Sequence, residues 1–137
     1  MKRILITGSR DWSDPSRVAV ALVRAIHDRR WDWNEVVVVH GACRTGADAQ
    51  ADIYAEMLAL AREPHPADWN RYRKRAGVIR NSEMIKAGAD LCLAFIGNCT
   101  TPSCSRPKPH GSHGASHCAD AAEKAGIETI RYLEEGP

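Results

Sequence analysis

Hydrophobic residues along this chain follow two rhythms. Arg3–Thr7 ("RILIT"), Glu35–Gly41 ("EVVVVHG"), Asp90–Gly97 ("DLCLAFIG") and Ile127–Leu133 ("IETIRYL") are short apolar runs rich in β-branched residues. Runs of this kind predict strands, and the unbroken ones suit strands buried on both faces of a parallel sheet. Between them, apolar positions recur every three or four residues. Val18, Leu22, Ala25 and Ile26 follow Asp14-Pro15, an N-cap residue and a proline suited to the first helical position. An alanine-rich segment from Ala47 to Arg62 predicts a second helix, whose small side chains let it lie close to the sheet. "YRKRAGVIRNSEMIKAG" predicts a third, in two pieces around Gly77 and ending at Gly88. "GASHCADAAEKAG" predicts a fourth, closed by Gly126. Pro64 and Pro66 exclude a central strand from "EPHPADW" but leave room for a short edge strand.

Strands that alternate with helices imply an α/β fold with three layers and a mostly parallel sheet of about five strands. Nothing divides residues 1–137 into two domains, although a Cys/His/Pro-rich insert at 98–113 interrupts the pattern. Ligands of such sheets bind at the carboxyl ends of the strands, near the point where strand order reverses. Composition narrows the partners. The chain is 44% hydrophobic and 26% charged with a net charge of +2, too little to imply nucleic acid or membrane by charge alone. No run approaches membrane-spanning length, and the apolar stretch before Gly8 is too short for a leader, so a cytoplasmic location is expected. Five cysteines without a small secreted framework suggest reduced thiols, with metal or redox roles open.

The loops at the expected strand ends carry the candidate chemistry. They are "TGSRDW", "HGACRTGAD" and "HGSHGAS". Each has glycine where backbone can approach a ligand, and the last two run into helix N-termini, whose N–H groups and dipole favour anions. Gly8, Ser9, Arg10, Gly41, Gly46, Asp48, Gly114 and Ser116 are therefore candidates for holding a phosphate-bearing ligand, with Arg44, Thr45 and Ser112 beside them. Trp12 is a candidate for stacking on a base. Simpler readings stand alongside. Thr45 and Asp48 fit a capping box, which would make Asp48 structural, Gly8 suits a turn, and Arg10 and Arg44 suit solvated surface. No Walker lysine and no G-x-G-x-x-G is present. In "RYRKRAGVIRN", preceded by Trp69, the basic residues read as a solvated helix face, as a strip for single-stranded nucleic acid, or as a segment whose Arg80 and Asn81 point at the ligand.

The ordered motifs "GSRDW", "HGACRTGADAQAD", "PADW", "RNSEMI" and "GADLCLAFIG…SHGASHCADAAEKAGI" resemble the YspA/YpsA-related branch of the SLOG superfamily, of actinobacterial or phage type. The resemblance runs over nearly the whole chain. It implies a Rossmann-like domain and a pocket for a nucleotide-derived small molecule, with the residues named above as its site. SLOG proteins also include the cytokinin-activating phosphoribohydrolases, which implies a nucleoside monophosphate hydrolase as an alternative. Arg80 matches the arginine of their Arg-Lys pair, Asn81 replaces the lysine, and Gly114 matches the last glycine of their Gly-rich motif. Their catalytic glutamate falls on Cys118, so binding carries over better than catalysis. The DNA-processing protein A branch implies single-stranded nucleic acid as a further alternative. Self-association is left open.

The insert adds Cys99, Cys104, His110 and His113 in the spacing C-x4-C-x5-H-x2-H. Two thiolates and two imidazoles are a normal structural zinc set. The segment has almost no apolar side chains and three prolines, Pro102, Pro107 and Pro109, so a metal would supply order it otherwise lacks. A loop with free thiols and a Cys99–Cys104 disulfide are the competing readings. His117 and Cys118, on the following helix, are expected to serve the ligand site or the core.

Overall fold

The structure, a computed structural model, describes residues 1–100, 102–105 and 111–134. Five strands, β1 (Lys2–Gly8), β2 (Val36–His40), β3 (Ala61–Pro64), β4 (Leu91–Ile96) and β5 (Thr129–Leu133), form one sheet in the order β3-β2-β1-β4-β5. Every pairing is parallel. The α/β class is as expected, and the architecture is Rossmann-like. Period-two alternation explains the unbroken apolar runs. Ile4, Ile6, Val36, Val38, Leu91, Leu93 and Phe95 face one layer, while Leu5, Val37, Val39 and Cys92 face the other.

Helices α1 (Pro15–Asp28) and α2 (Gly46–Met57) cover the first face; α4 (Ala76–Ala87) and α5 (His113–Lys124) cover the second. Asp14 caps α1 by accepting from the Arg17 N–H at 3.3 Å, with Pro15 at the start of the helix. Ala47, Ala51 and Ala55 of α2 are fully buried, which is the close approach to the sheet that small side chains allow.

Two boundaries differ from expectation. The second helix stops at Met57, not Arg62, because Ala59 takes φ +57 and turns the chain. The released residues form β3, whose register places Pro64 opposite His40 at the sheet edge, where a missing N–H costs no ladder bond on the solvent side. The short edge strand thus begins two residues before "EPHPADW" would place it. Arg3 anchors it with a two-pronged ion pair to Glu63, at 2.8 and 2.7 Å. That contact, reinforced by His65, lowers the Glu63 carboxyl to about 2. The third helix breaks at Arg73, where φ is +54, so that a short α3 (Trp69–Tyr72) and a 3-10 turn precede α4. Gly77 lies inside α4, beside the Trp69 ring, and does not interrupt the helix.

Among the described residues no helix is long and apolar enough to cross a membrane. Strand order reverses at β1. Its neighbours β2 and β4 are reached by connections on opposite faces, which opens a crevice at the carboxyl ends of β1 and β4.

Candidate functional site

A cavity of about 690 Å³ occupies that crevice. The end of β1 supplies Gly8, Ser9 and Arg10, and α4 supplies Arg80 and Asn81. The first turn of α5 contributes His113 and Gly114, and Asp48 enters from α2. Seven expected site residues therefore meet here: Gly8, Ser9, Arg10, Asp48, Arg80, Asn81 and Gly114. A second cavity of about 440 Å³, which includes Gly41, shares Arg10, Cys43 and Arg80 with the first.

Arg80 is the best-held charge in the crevice. It is only 9% exposed. Its Nη1 donates to the Gly41 carbonyl and, at 3.5 Å, to that of His65, and its Nε donates to Asn81 Oδ1 at 2.7 Å. Nη2 has no hydrogen-bond partner among the described residues, while the side chain lines both cavities. Asn81 thus orients Arg80, and Gly41 is glycine because a Cβ there would collide with the guanidinium.

Asp48 is almost fully buried and does not complete a capping box. Thr45 makes no side-chain cap bond. Instead Asp48 Oδ2 accepts from the N–H groups of Gly41 at 3.1 Å and Cys43 at 3.4 Å, and so shapes the β2–α2 turn. Burial pushes its carboxyl above the usual range, opposed by His40 and Arg80. Burial likewise pushes up the neighbouring Cys43 thiol, with Asp48 adding to it. His40 accepts from the Ala42 N–H at Nδ1 and therefore carries its proton at Nε2, toward Asp52 at 2.8 Å.

The two glycine-rich helix starts are not equivalent. The N-terminus of α2 is filled from within: the Ser9 carbonyl accepts from Ala47 N–H at 3.3 Å and from Trp12 N–H at 3.2 Å. Gly46 takes φ +73 directly against that carbonyl. It packs against the scaffold and lines neither cavity. Gly8 is also demanded by packing, since a Cβ there would overlap Ala47 and crowd the Phe95 carbonyl. At α5, by contrast, a Cβ on Gly114 would meet nothing within 4 Å, and the first turn lines the large cavity. Ser116 faces Gly111 instead and does not line the cavity.

Trp12 is corrected by its burial. It is 3% exposed, lies edge-on to Phe95 at 5.6 Å, and donates Nε1–H to the Asp14 carbonyl at 2.9 Å. It belongs to the core on the α1 side and cannot stack on a base. Trp69, 47% exposed, is the indole beside the ligand space, with the Arg10 guanidinium 5.5 Å from its ring. The sequence signal for Trp69 was its place just before the basic run. Of the basic residues in that run only Lys74 and Arg80 line the large cavity, and Arg71, Arg73 and Arg75 are exposed elsewhere. Lys74 was missed as an individual residue because nothing local separates it from its basic neighbours. Cys118 lies fully buried outside the cavity lining, with burial pushing up its thiol, so it offers no substitute for a carboxylate.

The insert contributes a second constellation at the rim. Cys99 Sγ and Cys104 Sγ lie 3.7 and 3.5 Å from His113 Nε2. The three donor atoms fall within 4.8 Å of one another and could hold a metal ion. His113 is also the first residue of α5 and part of the cavity wall. The expected fourth donor, His110, lies outside the described residues. The base of the insert is closed by a bridge between Asn98 and Gly111 and by the Ser112 N–H to the Gly97 carbonyl at 2.7 Å.

The family described as the YspA, cpYpsA-related SLOG family matches residues 2–72. The chain is 44% identical over 138 residues to the "Gene 61 protein" of Mycobacterium phage D29, covering 96% of this chain and 97% of that one. No solved structure matches significantly.

Proposed function

The chain belongs to the YspA, cpYpsA-related SLOG family, and from that premise we propose that its β1/β4 cavity binds a nucleotide-derived, phosphate-bearing small molecule. The observation that carries the reading is Arg80: a buried guanidinium, oriented by Asn81 and two carbonyls, with Nη2 unpartnered among the described residues. A guanidinium so fixed suits two-pronged contact with phosphate, and it shares the cavity with the first turn of α5. Thermal denaturation with AMP, NAD and ADP-ribose tests the reading. A ligand at a hundred times its dissociation constant stabilises by about 2.7 kcal/mol, so a rise of several degrees is expected. Arg80→Lys keeps a charge but loses the fork and should weaken binding at least tenfold. No shift with any of these ligands at millimolar concentration would overturn the proposal.

Hydrolysis of the N-glycosidic bond is a second reading, and it rests on Asp48. This is a buried carboxylate in the cavity whose proton affinity is raised by burial. Free base released from AMP, and lost in Asp48→Asn, is its signature by chromatography. Without that release the protein is a binder or sensor.

We infer further that zinc is the ion for Cys99, Cys104 and His113. Zinc–sulfur bonds of about 2.3 Å and zinc–nitrogen bonds of about 2.0 Å, at tetrahedral angles, separate S and N ligands by about 3.5 Å. The separations here are 3.5 and 3.7 Å. Thiolate and imidazole donors also favour zinc over magnesium or calcium. When bound, the ion would supply a cross-link between the insert and α5, with His110 as the fourth ligand the sequence offers.

A further inference from the structure

The cavity of about 440 Å³ that adjoins the main site has a composition of its own. Pro66 and the half-exposed Trp69 give it an apolar wall, and Arg10, Arg44 and Arg80 give it charge. Arg10, Cys43 and Arg80 line both cavities, so the two spaces meet at these side chains. Histidines aside, Trp69 is the aromatic ring on either cavity among the described residues.

We propose that this second cavity is a nucleobase subsite: the base stacks on the Trp69 indole while its phosphate reaches Arg80 and the first turn of α5. The proposal rests on the reading that the main cavity takes a phosphate-bearing nucleotide, and it assigns the orientation of that ligand. Charge sets the direction. The buried carboxylate of Asp48 in the main cavity repels a phosphate but accepts hydrogen bonds from ribose hydroxyls. The phosphate therefore lies toward the first turn of α5, the base in the adjoining space, and the ribose between them beside Asp48, with Arg80 bordering both cavities.

The indole is prepared for this role. Its Cη2 edge rests against α4 at Gly77, 3.7 Å from where a Cβ would stand, so the ring is backed by a helix. The Arg10 guanidinium now sits 5.5 Å over the ring. An incoming base exchanges with that guanidinium, one π-face partner for another. Arg10, displaced, remains beside both cavities and can pair with the ligand's phosphate.

The test compares a probe with a base and one without. Isothermal titration with AMP and with ribose 5-phosphate is run on wild type, Trp69→Ala and Trp69→Phe. Base–aromatic stacking predicts about a tenfold or greater loss of AMP affinity in Trp69→Ala and a smaller loss in Trp69→Phe. Ribose 5-phosphate affinity should be unchanged in both. Trp69 is half-exposed, so both variants should fold, and unchanged melting temperatures verify this. Equal AMP affinity in wild type and Trp69→Ala overturns the subsite while leaving the phosphate site standing. An equal loss for both probes also overturns it, by making Trp69 a support for the main cavity. Failure of wild type to bind either probe overturns the subsite, while NAD and ADP-ribose still test the main cavity.

Discussion

The turns that lead from β2 into α2 and from β4 into α5 look alike in the sequence but behave as opposites. Both follow a buried strand, both contain glycine, and both open a helix near the crevice. At α2 the helix start is consumed by the protein itself, through the Ser9 carbonyl and the left-handed Gly46. At α5 the start borders an open cavity, and the chain leading into it is gathered by a Cys/His cluster. A helix N-terminus attracts anions only while no carbonyl from its own chain has arrived first. The start of α2 therefore serves the scaffold, although the turn before it lines the adjoining cavity, and the start of α5 stays open to the main cavity.

The largest expected effect separates the two turns through the metal. Zinc binding contributes on the order of 10 kcal/mol to small metal-ordered segments. Purified protein should hold about one zinc per chain by elemental analysis, and Cys104→Ser should lose it. Hydrogen exchange should then quicken at the first turn of α5 and leave α2 unaffected. A metal-free preparation with reduced thiols and unchanged exchange at α5 would remove zinc from the account.

A matched pair of substitutions sharpens the same contrast. Gly46→Ala must place a Cβ at positive φ against the Ser9 carbonyl, and should cost on the order of 2–4 kcal/mol in denaturant unfolding. Gly114→Ala enters open space within a helix and should stabilise by up to about 1 kcal/mol. Equal effects of the two would erase the distinction between the turns.

The smallest effect concerns pH. Asp48 has its carboxyl raised by burial. A carboxyl raised on folding favours the native state fully below its unfolded value, and that contribution falls as pH rises through the folded value. Asp48→Asn retains an oxygen that can accept from the Gly41 and Cys43 N–H groups. The melting temperature of wild type minus that of Asp48→Asn should thus be highest below the ordinary carboxylate range and decline as pH rises above it. A difference that grows with pH would mean that Arg80 and the two N–H groups outweigh burial.

Much of the fold was legible because its signals are local. Unbroken apolar strands, Asp14-Pro15 before α1 and the alanines of α2 all report their surroundings through residue type. Boundaries were less legible where backbone conformation intervened. Ala59 and Arg73 take left-handed φ that their side chains do not announce, and these two residues moved the end of one helix and the break in another. The site was legible in its cast more than in its roles. Arg80, Asn81 and Gly114 reach the cavity as the motifs suggested, yet Asn81 positions Arg80, and Gly41 makes room for it.

By itself the sequence determined that strands alternate with helices, that the sheet is mostly parallel, and which cysteines and histidines lie close enough in the chain to share an ion. Those properties follow from periodicity and spacing, which need no partner. Only the tertiary structure decided which helix start stays open, which tryptophan is core and which borders the ligand, and that Asp48 braces a turn instead of capping a helix. Each depends on a group brought from elsewhere in the chain: the Ser9 carbonyl onto α2, Phe95 onto Trp12, and the Gly41 N–H onto Asp48. A hydrogen-bonding group has no fixed role until folding settles which partner reaches it and whether water still can.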